Sequence, residues 1–287
     1  MRKNFGAILT AMVTPFDADL RVDEAAAVRV LDHLIDNASD GVVVCGTTGE
    51  APTLTDEEHL GMIGLIAREA GGRCSVIAGT GSNDTRHACH LTERATELGA
   101  DALLVVTPYY NRPNRLGIIR HYEEVAGATD KPIILYNIPG RTGTDMPNDL
   151  LAELAQIDNI VGVKQANPDN IAQVEGLDLY AGDDSSLLPV LELGGAGGIL
   201  VASHLVGPQM RRMVDEPENR AHIDSELQDI YAMIGLTSNP IPIKAALNMT
   251  GIEVGSLRMP LIEATDAEKE QIRTVLERHN LLATATS

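Results

Sequence analysis

Ile160-Val161-Gly162-Val163-Lys164-Gln165-Ala166 is an apolar run with a single cation in it. A near-continuous hydrophobic stretch of this length reads as a parallel strand covered on both faces. The chain has only five lysines, Lys3, Lys131, Lys164, Lys244 and Lys269, so one inside a strand stands out. An ammonium there is costly unless it is paired or neutralised. Burial favours the neutral amine of a lysine, and a neutral amine is a nucleophile. Two readings stay open on this segment alone. One is a Schiff-base lysine that attacks a carbonyl. The other is a strand-end lysine whose ammonium reaches water or a carboxylate.

Similar runs recur on either side. Strands are expected over Ala7–Val13, Gly41–Gly46, Ser75–Gly79, Ala102–Thr107, Pro132–Asn137, Ile160–Gln165, Leu177–Ala181 and Gly198–Ala202. Helical patterns lie between them, over Asp23–Asn37, Asn114–Ala128, Pro147–Gln156, Asp169–Glu175, Ser185–Leu193 and Pro208–Asp215. Thr55-Asp56-Glu57-Glu58 opens a further helix with a cap and first-turn acids, and Asn83-Asp84-Thr85 opens another. Eight strands alternating with helices predict an α/β chain folded as a (β/α)8 barrel over residues 1–215. A doubly wound open sheet is the competitor, but no Gly-x-Gly-x-x-Gly turn follows the first strand. Residues 216–287 are helical in pattern, with Asn239-Pro240-Ile241-Pro242 as a break, and read as a helical extension packed on the barrel.

Composition narrows the class. Hydrophobic residues make up 44%, enough for a core, but with no Trp and two Phe that core must be aliphatic. No stretch reaches the roughly 18 to 20 apolar residues of a membrane span. A formal charge of −19 argues against nucleic acid and anionic membrane as partners. Cys45, Cys74 and Cys89 form neither a disulfide framework nor a paired metal-ligand spacing, which fits a reducing cytoplasm. An acidic surface this poor in lysine suits a salt-adapted protein, and equally an ordinary acidic enzyme kept soluble by its charge.

In a barrel the chemistry sits where strands run into loops at the C-terminal face. Strand 2 ends in Gly46-Thr47-Thr48-Gly49-Glu50, a tight turn with two hydroxyls that suits a carboxylate or phosphate. Strand 4 ends in Thr107-Pro108-Tyr109-Tyr110-Asn111. Strand 5 ends in Tyr136-Asn137-Ile138-Pro139-Gly140-Arg141-Thr142-Gly143, beside the strand of Lys164. The Tyr136 phenol is placed to shuttle a proton, unless it is a half-buried core tyrosine. The Arg141 guanidinium is placed to hold a carboxylate, unless it is a surface arginine. Asp183-Asp184-Ser185 reads as a helix cap rather than a metal site. Gly194-Gly195-Ala196-Gly197-Gly198 reads as a tight turn, with a barrel phosphate site as the alternative.

Taken together, Gly46-Thr47-Thr48-Gly49-Glu50, Thr107-Pro108-Tyr109-Tyr110-Asn111-Arg112-Pro113, Tyr136-Asn137-Ile138-Pro139-x-Arg141-Thr142-Gly143 and Gly162-Val163-Lys164 follow the order and spacing of one family. The chain resembles the 4-hydroxy-tetrahydrodipicolinate (dihydrodipicolinate) synthases, in the N-acetylneuraminate lyase superfamily of class I aldolases. The resemblance implies that Lys164 forms an imine with pyruvate, with no cofactor and no metal. It implies that Thr47, Tyr136 and Tyr110 relay protons, Tyr110 reaching in from a neighbouring subunit of a homotetramer. Thr48 and Ile199 match the positions that hold pyruvate, and Arg141 the position that takes the carboxylate of aspartate semialdehyde.

The match departs from the family at Gln165, where many synthases have Glu, and at Asn167-Pro168, where Thr-Gly is commoner. The family's lysine-feedback positions are kept in part: His59, Asn83 and Tyr109 match, while Ala51, Asp56 and His87 do not. The competing functions are another pyruvate-dependent aldolase acting on a keto-deoxy sugar acid or N-acetylneuraminate, a binding homologue without catalysis, and a phosphate-binding barrel isomerase. Arg141 speaks against an aldolase for neutral polyol tails, and retention of Lys164, Tyr136, Thr47 and Tyr110 against an inert homologue. A phosphate-binding isomerase has no use for an imine lysine.

Overall fold

A computed structural model describes residues 5–283 of the chain; Lys3 lies outside them. Eight strands, β1 (Ile8–Ala11), β2 (Gly41–Val44), β3 (Ser75–Gly79), β4 (Ala102–Val106), β5 (Ile133–Asn137), β6 (Ile160–Gln165), β7 (Asp178–Ala181) and β8 (Gly197–Leu200), run in sequence order. Each pairs in parallel with the next, and β8 returns to β1 to close a barrel. Helices α1 (Glu24–Asp36), α2 (Asp56–Ala70), α3 (Thr85–Glu97), α4 (Arg115–Gly127), α5 (Pro139–Thr142), α6 (Asn148–Leu154), α7 (Leu187–Glu192) and α8 (Ser203–Asp215) lie between and after the strands. Then follow α9 (Arg220–Ile234), α10 (Ile241–Met249) and α11 (Asp266–Arg278).

The strands are short, 4 to 6 residues, and bury both faces. Val42, Val44, Leu103, Val105, Leu135 and Val163 point outward into the layer beneath the helices. Leu9, Val43, Leu104, Ile134, Tyr136 and Ile199 fill the barrel interior. Helix starts obey their sequence signals. The Thr55 hydroxyl accepts from Glu58 N while the Glu58 carboxylate accepts from Thr55 N, a complete capping box for α2.

Two expectations need correction. No helix forms over Asp169–Glu175; only a short 3-10 turn, Pro168–Asn170, follows β6. The Asp145 carboxylate draws in the side-chain amides of Asn137, Asn167 and Asn170, at 2.8, 3.1 and 2.8 Å. Those bonds fix the segment from the side and compete with a helical path. Helix α8 begins earlier than Pro208, at Ser203, and absorbs the proline with a non-helical residue, Val206.

One irregularity positions the chemistry. Ile133 pairs with Ile160, but Ile134 pairs with Gly162, so β6 carries a bulge at Val161. The shift sets Lys164 level with Tyr136 on one side and Tyr180 on the other.

The seam between β1 and β8 depends on a neutral histidine. His204 is fully buried; its Nδ1 donates to Val201 O at 2.8 Å and its Nε2 accepts from Val13 N at 3.3 Å. An imidazolium, a donor at both nitrogens, cannot accept that second bond. Burial pulls His204 down to about 4. Between that value and the ordinary histidine range the unfolded chain binds the extra proton, so this contribution to stability is full above about pH 6.5 and fades as pH falls toward 4. His204→Gln cannot titrate. The stability gap between wild type and His204→Gln should therefore shrink by up to about 3 kcal/mol between pH 7 and pH 4. Urea titrations at both pH values measure it, and a pH-independent gap would contradict the assignment.

Candidate active site

Lys164 sits at the C-terminal end of β6 and is 6% exposed. Its Nζ lies 4.3 Å from the centroid of the Tyr136 ring. Among the described residues it makes no ion pair and no hydrogen bond. A cavity of about 340 Å³ opens above it, lined by Thr47, Thr48, Tyr136, Arg141, Asp184 and Asn239 among others. The structure thus brings together Lys164, Tyr136, Thr47, Thr48 and Arg141, which the sequence scattered over three strand ends.

Each arrives by its own device. Tyr136 reaches the site because β5 is in register with β6, and its carbonyl accepts from the Thr107 hydroxyl at 3.0 Å. Thr47 and Thr48 stand on a turn closed by Gly49 N to Gly46 O at 3.1 Å and Glu50 N to Thr47 O at 3.1 Å. Arg141 is carried on α5, which starts at Pro139 and ends at Gly143 with φ 69°. Its side chain is exposed, and its guanidinium has no carboxylate partner among the described residues. A free guanidinium on the rim of a cavity with an amine at its floor suits a substrate that carries both a carboxylate and a carbonyl.

Two expected residues do not line the cavity. Ile199 is fully buried in the barrel interior on β8, in the packing beneath the site. Tyr110 is 89% exposed on this chain, in a loop where it and Arg112 adopt positive φ.

Asp184 is a further site residue, where the sequence suggested a helix cap. Its Oδ1 accepts from Val201 N at 3.0 Å and Ala202 N at 2.9 Å, so it caps the end of β8 rather than its own turn. Burial pushes its carboxyl up to about 6, against the pull of those N–H groups and of Lys164. The Gly194–Gly198 segment is no phosphate cradle. Its Gly194, Gly195, Ala196 and Gly198 N–H groups are all spent on backbone carbonyls. Cys45 is no nucleophile: burial pushes its thiol up, and its Sγ donates to His59 O at 3.5 Å. In a neighbouring cavity, the Asp56 carboxylate accepts from His87 Nε2 at 2.9 Å.

A closed parallel barrel with a buried lysine and a tyrosine at the same level is the architecture of an imine-forming lyase. The chain belongs to the dihydrodipicolinate synthetase family, whose model matches residues 4–279. It is 43% identical to the 4-hydroxy-tetrahydrodipicolinate synthase of Desulforudis audaxviator, over 98% of this chain and 100% of that one. The DHDPS of Cyanidioschyzon merolae, solved with lysine bound, superposes with a TM-score of 0.94 at 39% identity, covering 98% of this chain and 100% of that one. The chloride-inhibited dihydrodipicolinate synthase of Acinetobacter baumannii, complexed with pyruvate, superposes with a TM-score of 0.92 at 36% identity, covering 97% of this chain and 100% of that one. Among the described residues no helix is long and apolar enough to cross a membrane.

Proposed function

We propose that this chain condenses pyruvate with L-aspartate 4-semialdehyde to give 4-hydroxy-tetrahydrodipicolinate. The observation that carries the reading is Lys164: a buried amine without an ion partner, opening on a cavity that holds a phenol, two threonine hydroxyls and a rim guanidinium. The amine attacks the pyruvate carbonyl, and loss of water from the carbinolamine leaves an imine. The imine makes the adjacent methyl acidic. A proton leaves, and the resulting enamine carbon attacks the aldehyde, whose oxygen takes up a proton. The amino group of the semialdehyde then attacks the imine carbon, closes the ring and releases Lys164. One water is lost overall.

Tyr136, Thr47 and Tyr110 carry the protons in this reading, Thr48 and Ile199 hold pyruvate, and Arg141 takes the carboxylate of the semialdehyde. The buried position of Ile199 gives it a packing wall or its backbone to offer rather than a polar side chain. A coupled assay with pyruvate and a panel of aldehydes tests the function, with aspartate semialdehyde expected to be the best substrate. Preference for a sugar aldehyde or N-acetylmannosamine would overturn it. Arg141→Ala should lower kcat/KM for the semialdehyde on the order of ten- to a hundredfold, the weight of a charge-assisted contact. Imine formation with pyruvate should change far less. Equal loss of both steps would make the arginine structural.

The same reading makes the protein a cytoplasmic homo-oligomer, a tetramer by resemblance, with its barrel over 1–215 and its extension over 216–287. The three cysteines are free, and a tyrosine of the relay is 89% exposed on the single chain. Tyr110→Phe should lower turnover and leave assembly intact. A fully active monomer at high dilution, measured by mass photometry alongside the rate, would contradict a relay completed across subunits.

A further inference from the structure

The turn that carries Thr47 and Thr48 closes on its own backbone, but its polar side chains are held from elsewhere in the chain. Two residues that flank it, Cys45 and Glu50, hold φ of 55° and 54°, a left-handed conformation disfavoured for residues with a Cβ. Beyond its own backbone bonds and the Thr14 hydroxyl on Gly49 O, the turn is braced from the far end of the chain. Lys244 Nζ donates to Glu50 Oε1 at 2.7 Å, and the backbone N of Arg258 donates to Glu50 Oε2 at 3.0 Å. Asn239 Nδ2 donates to Thr48 Oγ1 at 2.9 Å. Both carboxylate oxygens of Glu50 and the oxygen of Thr48 are thus held by residues beyond 215.

The segment that delivers these contacts is itself docked tightly. Phe16 N donates to Val254 O at 3.1 Å. A Cβ on Gly255, which has φ +67°, would lie 1.8 Å from Phe16 O, so only glycine permits the approach. Lys244 also donates to Ser256 O at 2.6 Å, and its Nζ lies 4.3 Å from the centroid of the Phe16 ring. The Glu50 and Lys244 side chains are 0% and 1% exposed. Apolar residues of the same volume commonly serve stability as well as such a dry ion pair. What the pair adds is direction: it fixes one carboxylate, and with it the residue at the end of the turn.

We infer that Glu50 and Lys244 are positioning residues, and that the C-terminal extension sets the Thr47–Thr48 turn for substrate through them and through Asn239. The inference rests on the reading of the cavity as a pyruvate site. With its oxygen accepting from Asn239, the Thr48 hydroxyl proton is left to donate to a carboxylate. Neither Glu50 nor Lys244 lines the cavity, so a loss caused by changing them must travel through the turn.

Two variants test this. Glu50→Gln/Lys244→Met removes both charges together, which avoids stranding one of them. Asn239→Ala removes only the contact to Thr48 and keeps the test open should the double variant fail to fold. In each, KM for pyruvate should rise about three- to tenfold, as expected for a lost positioning hydrogen bond, while KM for the aldehyde in the double variant stays within about twofold. Amide exchange at residues 46–50 should quicken in both variants, with the strands of the barrel unchanged. Wild-type pyruvate KM and wild-type exchange at the turn in a folded variant would overturn the inference. A wild-type protein that forms no pyruvate adduct would overturn the reading of the cavity instead, and exchange at the turn would still decide the role of the extension.

Discussion

The site is organised around a lysine buried without a carboxylate partner. Two lysines are buried among the described residues, and they are opposites. Lys244 is locked into an ion pair with Glu50 and a bond to Ser256 O. Burial pulls it down to about 8 against the support of Glu50. Lys164 has the face of Tyr136 and an open cavity. A buried lysine with satisfied bonds is scaffold; one that lacks them is a cost to folding, kept where its nitrogen has work to do. The bulge in β6 and the register with β5 set the level of that one side chain.

The two lysines divide the chain's labour. Lys164 belongs to the barrel and meets the substrate. Lys244 belongs to the extension and meets the loop after β2. The extension therefore does more than cover apolar helix faces. Tyr231, Ser238 and Asn239 line the same cavity as Lys164, so the barrel alone would have an incomplete site wall.

Legibility in the sequence followed the range of the interactions. Strand β6 and its lysine could be read because an unbroken apolar run is a local signal, and its bounds are those expected, Ile160–Gln165. Lys164, Tyr136, Thr47 and Arg141 could be placed at one face because strand ends of a barrel share it. The contacts between Asn239 and Thr48 and between Lys244 and Glu50 could not, since they join residues 191 and 194 positions apart with no periodicity to announce them. The helix wrongly expected after β6 had acceptable local propensity, and distant Asp145 overrode it. Asp184 looked like a cap and is one, but for a strand end elsewhere in the chain.

The central claim is that Lys164 alone is the nucleophile. Reducing the protein with borohydride in the presence of isotopically labelled pyruvate, followed by peptide mapping, tests it directly. The account predicts one stable label per chain, on the peptide that contains Lys164, and none on Lys244, which is also buried. Label on Lys244 or another lysine, or no label at all, would contradict it.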